Sequence, residues 1–428
     1  MNAKVRNVVV CSIVVAGLGG SLASAQDWPQ WRGANRDAKA VGFVAPATWP
    51  PQLAEKWKVT VGDGVATPAV VGDKVYVFTR QEGNEVIRCL DAATGQEVWQ
   101  DKYETEQISG PPAQQFSGPR SSPAVGDGKV VTQGVQAVLS CYDAAAGKLL
   151  WRKEDFRGST PRFATASSPI LTAGLCIAEL GGDDNGAIVA YDLATGDEKW
   201  KWTGDTPAYG SPVLASVDGT QVIVAPTDKN MLAINVADGK LLWQVPFTQG
   251  RYNAATPIID GQTLIYALQG TTAEKLTLTG DGIKTEQLWN NSDATVVFNT
   301  PVLKDGLIFG LTGTNTIFCV RADTGETAWT APLGTAAKAA PAPQPKREPG
   351  KGRRGGGGGG FGSVVDAGSV LFALTPAGEL VVFEPSDKEF KQLASYKVAA
   401  GASYAYPVIV ANRVFIKDAE ALTLWAIE

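Results

Sequence analysis

A frame of aspartate, glycine four residues later and tryptophan four later again recurs down this chain. No other feature limits its possible folds as much. The frame stands at Asp91, Gly95 and Trp99, at Asp143, Gly147 and Trp151, and at Asp192, Gly196 and Trp200. Two copies keep glycine and tryptophan but change the first residue, at Asn235, Gly239, Trp243 and at Arg321, Gly325, Trp329. A worn copy holds Asp281 and Trp289 with Thr285 in the glycine position. From Trp57 onward these tryptophans lie 42, 52, 49, 43, 46 and 40 residues apart. Such a period marks an array of supersecondary units.

Each unit opens with a hydroxyl residue and a proline: Thr67-Pro68, Ser122-Pro123, Ser168-Pro169, Ser211-Pro212, Thr256-Pro257 and Thr300-Pro301. A short apolar run follows, then a turn such as Gly72-Asp73, Asp127-Gly128, Asp218-Gly219, Asp260-Gly261 or Asp305-Gly306. These turns suit two-residue hairpins that need positive φ. A second run, a third ending at the aspartate and a fourth carrying the tryptophan complete four antiparallel strands, the content of a propeller blade. The aspartate is expected to accept hydrogen bonds from its own turn. The glycine supplies a left-handed position, and the tryptophan wedges between neighbouring blades. Small residues two places before the aspartate (Ala190, Ala233, and Cys in three other blades) leave room for it.

The count predicts an all-β, eight-bladed propeller over residues 53–428. A seventh blade spans about Phe361 to Val398, and an eighth starts at Tyr406-Pro407 with only three strands before Glu428. Its fourth strand is expected at the other end, around Trp57, closing the ring and removing an open edge.

Residues 1–25 read as a secretory signal: Lys4 and Arg6, an apolar stretch from Val8 to Leu18, then Ala23-Ser24-Ala25. The stretch is too short to cross a bilayer. The expected product is a periplasmic or extracellular monomeric ring with no transmembrane segment. Residues 26–52 form a Trp-rich leader. Cys89, Cys141 and Cys319 occupy the same place in different blades and Cys176 has no evident partner, so no disulfide framework is implied. The chain has no histidine, which excludes Ser-His-Asp and Cys-His catalysis, His-ligated zinc and covalent c-type haem. Its net charge is −5. Residues 334–362 run against that sign, with Lys338, Lys346, Arg347, Lys351, Arg353 and Arg354 against Glu348 in Pro- and Gly-rich sequence. This composition reads as a flexible insert. The ring is then acidic, and nucleic acid is excluded as its partner.

Residues Ala190-Tyr191-Asp192-Leu193-Ala194-Thr195-Gly196-Asp197-Glu198-Lys199-Trp200 resemble the tryptophan-docking motif of the PQQ-like eight-bladed propellers, PQQ being pyrroloquinoline quinone. The start, Asp27-Trp28-Pro29-Gln30-Trp31-Arg32-Gly33-Ala34-Asn35-Arg36-Asp37, is similar to the leader of many secreted PQQ-binding-like repeat proteins. Its two tryptophans are expected to dock on the propeller wall. The resemblance implies a family of quinoprotein dehydrogenases and of non-catalytic scaffolds, the latter including the outer-membrane assembly factor B proteins. The enzymes use PQQ with calcium, an Asp base, Glu and Asn ligands, and often an adjacent Cys pair. This chain has no Cys-Cys dipeptide, and no segment matches the base or the ligands. No catalytic, cofactor-binding or metal-binding residue is therefore assigned, and no cofactor is expected.

The loops leading into each first strand form one central face. They carry Arg120, Arg162 with Phe163, Tyr209, Arg251-Tyr252-Asn253, Phe298-Asn299 and Tyr404 with Tyr406. Arg and Tyr are enriched at binding hot spots. Gly181-Gly182-Asp183-Asp184-Asn185-Gly186 clusters oxygen ligands but lacks the spacing of a calcium loop and reads as a turn. The reading is a non-catalytic platform binding an envelope protein or peptide through this face. The alternatives are a small-molecule or polysaccharide-binding module and a PQQ- and calcium-dependent dehydrogenase.

Overall fold

The computed structural model describes residues 27–108, 116–247, 253–267, 270–280, 282–333, 362–400 and 403–428. The signal segment and the insert, save Gly362, lie outside the described residues, as do Arg251, Tyr252 and Asp281. The strands build eight four-stranded antiparallel sheets arranged as an eight-bladed propeller. Blades one to seven cover 69–104, 124–153, 170–203, 213–246, 258–291, 302–332 and 363–397. In blade eight, Ala54–Thr60 pairs with Ala421–Ala426, Glu55 facing Trp425 and Thr60 facing Ala421. The two ends of the chain thus close the ring as the sequence predicts. The core lies between blades: one cluster joins Ile177 and Ile188 of blade three to Ile223 and Leu232 of blade four.

The frame residues hold neighbouring blades together. Asp91 Oδ1 accepts the N–H groups of Ala93 (3.1 Å) and Thr94 (2.9 Å), and Asp143 and Asp192 do the same in their turns. Five docking indoles donate into the next blade, to the residue after its first frame position or its equivalent. Trp57 reaches Ala92 O at 3.2 Å, Trp99 Ala144 O at 3.0 Å, Trp151 Leu193 O at 3.1 Å, Trp200 Val236 O at 2.8 Å and Trp289 Ala322 O at 2.8 Å. Trp329 donates to Ser386 O at 2.8 Å in blade seven, which has lost the frame. The frame glycine has a second duty that the sequence did not suggest. A Cβ on Gly95, Gly196, Gly239 or Gly325 would stand 2.6 to 2.8 Å from the indole of Trp57, Trp151, Trp200 or Trp289. Across the third and fourth strands, Cys89 faces Trp99, Cys141 faces Trp151 and Ala190 faces Trp200, with a bulge after each pair.

One expectation is corrected. The worn copy at Asp281, Thr285 and Trp289 is not a frame. Ala273 faces Trp289 from sixteen positions upstream, whereas Cys89 faces Trp99 from ten. The extra residues extend the hairpin of Thr271–Thr279 and Gly282–Asn291 into an arm in which Thr285 pairs with Leu276. This arm leans on blade four, where Leu278 N–H donates to Asp218 at 2.8 Å. Trp243 therefore joins a cluster containing Leu276 and Ile283 of the arm instead of lying on a frame glycine.

The leader docks on the inner wall of the ring and threads the axial channel. Trp28 pairs with Val70 of blade one, and Pro29 O accepts Val125 N–H of blade two. Arg36 reaches carbonyls of blades three and four, and the Trp31 indole donates to Thr256 Oγ1 of blade five at 2.9 Å. Arg32 donates to Pro301 O of blade six at 2.8 Å, and Ala38 and Ala40 exchange hydrogen bonds with Asp366 of blade seven. The Trp31 ring meets Tyr406 of blade eight edge-on at 4.9 Å. One short segment thus touches every blade, because only the axis is near all eight at once.

Candidate functional site

At the level of the hydroxyl–proline pairs the axis is bounded by a circle of hydrogen bonds. The N–H of Thr67 donates to Ser122 Oγ (3.1 Å), Ser122 to Ser168 (2.9 Å), Ser168 to Ser211 (2.9 Å), Ser211 to Thr256 (3.2 Å) and Thr256 to Thr300 (2.8 Å). Blade seven lacks such a pair. The Tyr406 phenol spans the gap, accepting Thr300 N–H and donating to Thr300 O, each at 3.1 Å, while its own N–H donates to Thr67 at 2.9 Å. All seven members are buried. Tyr406, expected on the exposed face, therefore belongs to this inner ring.

Above the ring the lead-in loops interlock from blade to blade. Arg120 donates to Phe163 O at 3.0 Å and Phe116 O at 3.2 Å. Phe163 N–H donates to the Tyr209 phenol at 3.2 Å, and Tyr209 N–H to Asn253 O at 3.0 Å. Tyr404 receives the edge of Phe116 at 5.2 Å. The structure therefore brings Tyr404, Arg120, Phe163, Tyr209 and Asn253 into one connected run. Asn253 is buried, its amide shared among the carbonyls of Thr227, Asp228 and Phe247. Arg162 is exposed, its guanidinium 5.4 Å over Phe163, and Phe298 is 43% exposed. Asn299 is buried and donates to Leu311 O and Gly362 O, both at 2.9 Å. The loop at 181–186 is the turn expected, with Asn185 Oδ1 accepting Gly182 N–H at 3.0 Å.

Among the buried charges the sequence reading missed are Glu179 and Lys417. Glu179 interrupts the apolar strand Leu175–Leu180, and neither carboxylate oxygen has a hydrogen-bond partner. Burial drives its carboxyl up to about 8 against the opposing pull of the Arg36 charge. Lys417 ends the strand Arg413–Lys417, level with Tyr406, and its ammonium lies among the carbonyls of Gly62 (3.1 Å), Gly64 (3.0 Å), Asp418 (2.6 Å) and Ala419 (3.2 Å). Burial lowers it to about 8. The signal in both cases was a charge following an apolar run at the end of a second strand.

A quinone held with calcium needs oxygen ligands free to converge on a cation. Two carboxylates of the lead-in loops are committed to the protein. Asp205 accepts from Thr206 N–H, Thr227 Oγ1, Lys229 N–H and Asn230 Nδ2, and Asp63 from Ser117 and Gly118. Among the described residues no three His, Cys, Asp or Glu side chains gather as a metal site. Glu179 is unpaired, but its raised pKa favours the neutral form at pH 7. This donor set does not fit the group.

Residues 83–331 match the protein family described as outer membrane protein assembly factor BamB. The outer membrane protein assembly factor BamB of Yersinia pestis is 25% identical over 295 residues, covering 64% of this chain and 69% of that protein. The quinohemoprotein alcohol dehydrogenase of Comamonas testosteroni is 29% identical over 144 residues, 32% of this chain and only 19% of the dehydrogenase. Among solved structures, BamB from Moraxella catarrhalis superimposes with a TM-score of 0.60 at 13% identity, covering 88% of this chain and 100% of that one. The Comamonas testosteroni dehydrogenase gives 0.65 at 15% identity, covering 94% and 80%. At these identities the structural likeness shows the fold alone. No helix among the described residues is long and apolar enough to cross a membrane.

Proposed function

Because the chain belongs to the PQQ-like propeller family of the outer membrane protein assembly factor BamB, we propose that it is a non-catalytic platform of the cell envelope. In this reading residues 1–25 direct export, and the lead-in loop face binds a partner protein or peptide. The observation that carries it is the interlocking of those loops, in which Arg120, Phe163, Tyr209 and Asn253 tie successive blades together. A face held in place before binding loses little conformational freedom on association. Arg162 and Phe298 stand outward on it, a cation and an aromatic of the kinds that anchor partners.

The test places a photo-crosslinking residue at Phe298 or, as control, at Leu288 on the outer strand of blade five, 48% exposed. Irradiation in the native envelope is expected to give a discrete protein adduct from position 298 and none from 288. No adduct at 298, or the same pattern from both, would refute the platform face. Purified protein with added PQQ and calcium is expected to show no dye-linked alcohol oxidation; turnover would overturn the non-catalytic reading.

A further inference from the structure

The innermost strand of a blade has no strand beside it on the axial side, so its backbone groups there need partners from elsewhere. At the hydroxyl ring the N–H groups find them in the next blade. One step further along each strand stands a proline, which has no N–H to offer. The collar below the ring therefore presents carbonyl acceptors without matching donors. A guanidinium is a fork of five donors with no acceptor, and the leader delivers two. Arg36 Nη1 donates to Ser168 O at 3.1 Å and Pro212 O at 2.8 Å, Nη2 to Pro169 O, and Nε to Gln30 Oε1 at 3.0 Å. Arg32 donates to Pro301 O, its guanidinium 5.5 Å above the Tyr406 ring. Both are buried, and among the described residues neither is within ion-pairing distance of a carboxylate. The collar replaces the counter-ion.

The leader's backbone gives an independent sign that the channel dictates its shape. Arg32 and Arg36 both have φ of +59° and Ala38 has +58°. L residues with side chains avoid this left-handed region unless their surroundings impose it.

We propose that the axial channel below the hydroxyl ring is a binding site for an arginine-bearing peptide folded in tight turns, filled in this molecule by the chain's own residues 27–40. The ligand class is a guanidinium on a turn backbone, and recognition is by proline-flanked carbonyls. The test is chemical rescue in the full-length mature chain. Arg36→Ala leaves a guanidinium-sized space against Ser168 O, Pro169 O and Pro212 O. Its melting temperature is expected to fall, and methylguanidinium chloride is expected to restore part of the loss saturably, as site binding requires. Methylammonium chloride at equal concentration is expected to do nothing, and the unsubstituted protein to respond to neither salt. Absence of a saturable rise, an equal rise in the unsubstituted protein, or equal rescue by methylammonium would overturn the proposal. Should Arg36→Ala fail to fold, Arg36→Lys decides. It keeps the charge but not the planar fork, so it is expected to melt below the unsubstituted protein, and equal stability would refute the guanidinium site.

Discussion

Gly128 and Gly147 offer a controlled measurement of what tryptophan docking contributes. Both lie in blade two and both have φ of +69°. A Cβ on Gly128 would meet nothing within 4 Å, whereas one on Gly147 would lie 2.6 Å from Trp99 Cε3 and 2.7 Å from Cγ. Gly128→Ala therefore isolates the left-handed backbone cost of about 1 kcal/mol. Gly147→Ala adds displacement of the Trp99 ring and strain on its 3.0 Å hydrogen bond to Ala144 O. Overpacking of about 1–2 kcal/mol and a weakened hydrogen bond of about 1 kcal/mol bring the total to roughly 3–4 kcal/mol. Urea unfolding followed by circular dichroism reads both, with unchanged slope expected if only the native state is affected. In a Trp99→Ala background the Gly147→Ala cost is expected to fall back to about 1 kcal/mol, the signature of a coupled pair. Equal costs at Gly128 and Gly147 would refute the argument that the frame glycine is needed to seat the neighbouring indole.

Tyr406→Phe removes the phenol that pairs both Thr300 N–H and O; a loss of about 1–3 kcal/mol is expected from the buried N–H left unpaired, with faster amide exchange at Thr300 as the site-specific check. Glu179 keeps in the folded state, up to about pH 8, a proton that the unfolded chain releases near 4.5. Stability is thus expected to fall as pH rises from 4.5 to 8. Glu179→Gln is expected to remove that fall and to melt above the unsubstituted protein at pH 8. A variant that keeps the slope would refute the assignment. Lys417 is lowered from 10.5 to about 8, so the unfolded chain binds its proton more tightly. Stability is expected to rise between pH 8 and 10 by up to about 3 kcal/mol, and Lys417→Met is expected to abolish the rise in melting curves across that range.

The sequence disclosed the blades and concealed the axis, for a physical reason. Asp91, Gly95 and Trp99 do their work within one turn or one blade-to-blade contact, so each copy repeats the same local chemistry and its spacing can be read directly. The arm of blade five escaped this reading because Asp281 and Trp289 kept the spacing by chance while Ala273 held the actual pairing position. Arg32 and Arg36 were visible only as part of a leader, because their partners are backbone carbonyls that no side-chain pattern encodes. Glu179 and Lys417 did leave a trace, each a charge following an apolar run at the end of a strand. The candidate face was legible in part. Its loops were located from the prolines, but the exchange of Arg120, Phe163, Tyr209 and Asn253 between them depends on curvature that spacing does not contain.

Tyr406 shows how the two levels connect. Before every other proline that opens a blade with such a pair stands Ser or Thr, whose hydroxyl reaches only the adjacent blade. Blade seven offers no hydroxyl–proline pair, so the next donor, Thr300, lies one blade too far for a short side chain. A phenol extends the reach while keeping one hydroxyl to accept from Thr300 N–H and donate to Thr300 O. The same ring then gives Trp31 an edge contact and Arg32 a face, so the residue that repairs the circle also seats the leader. The loss of one blade's opening pair, the tyrosine before Pro407 and the Trp31-Arg32 step of the leader are therefore parts of a single solution to closing this axis.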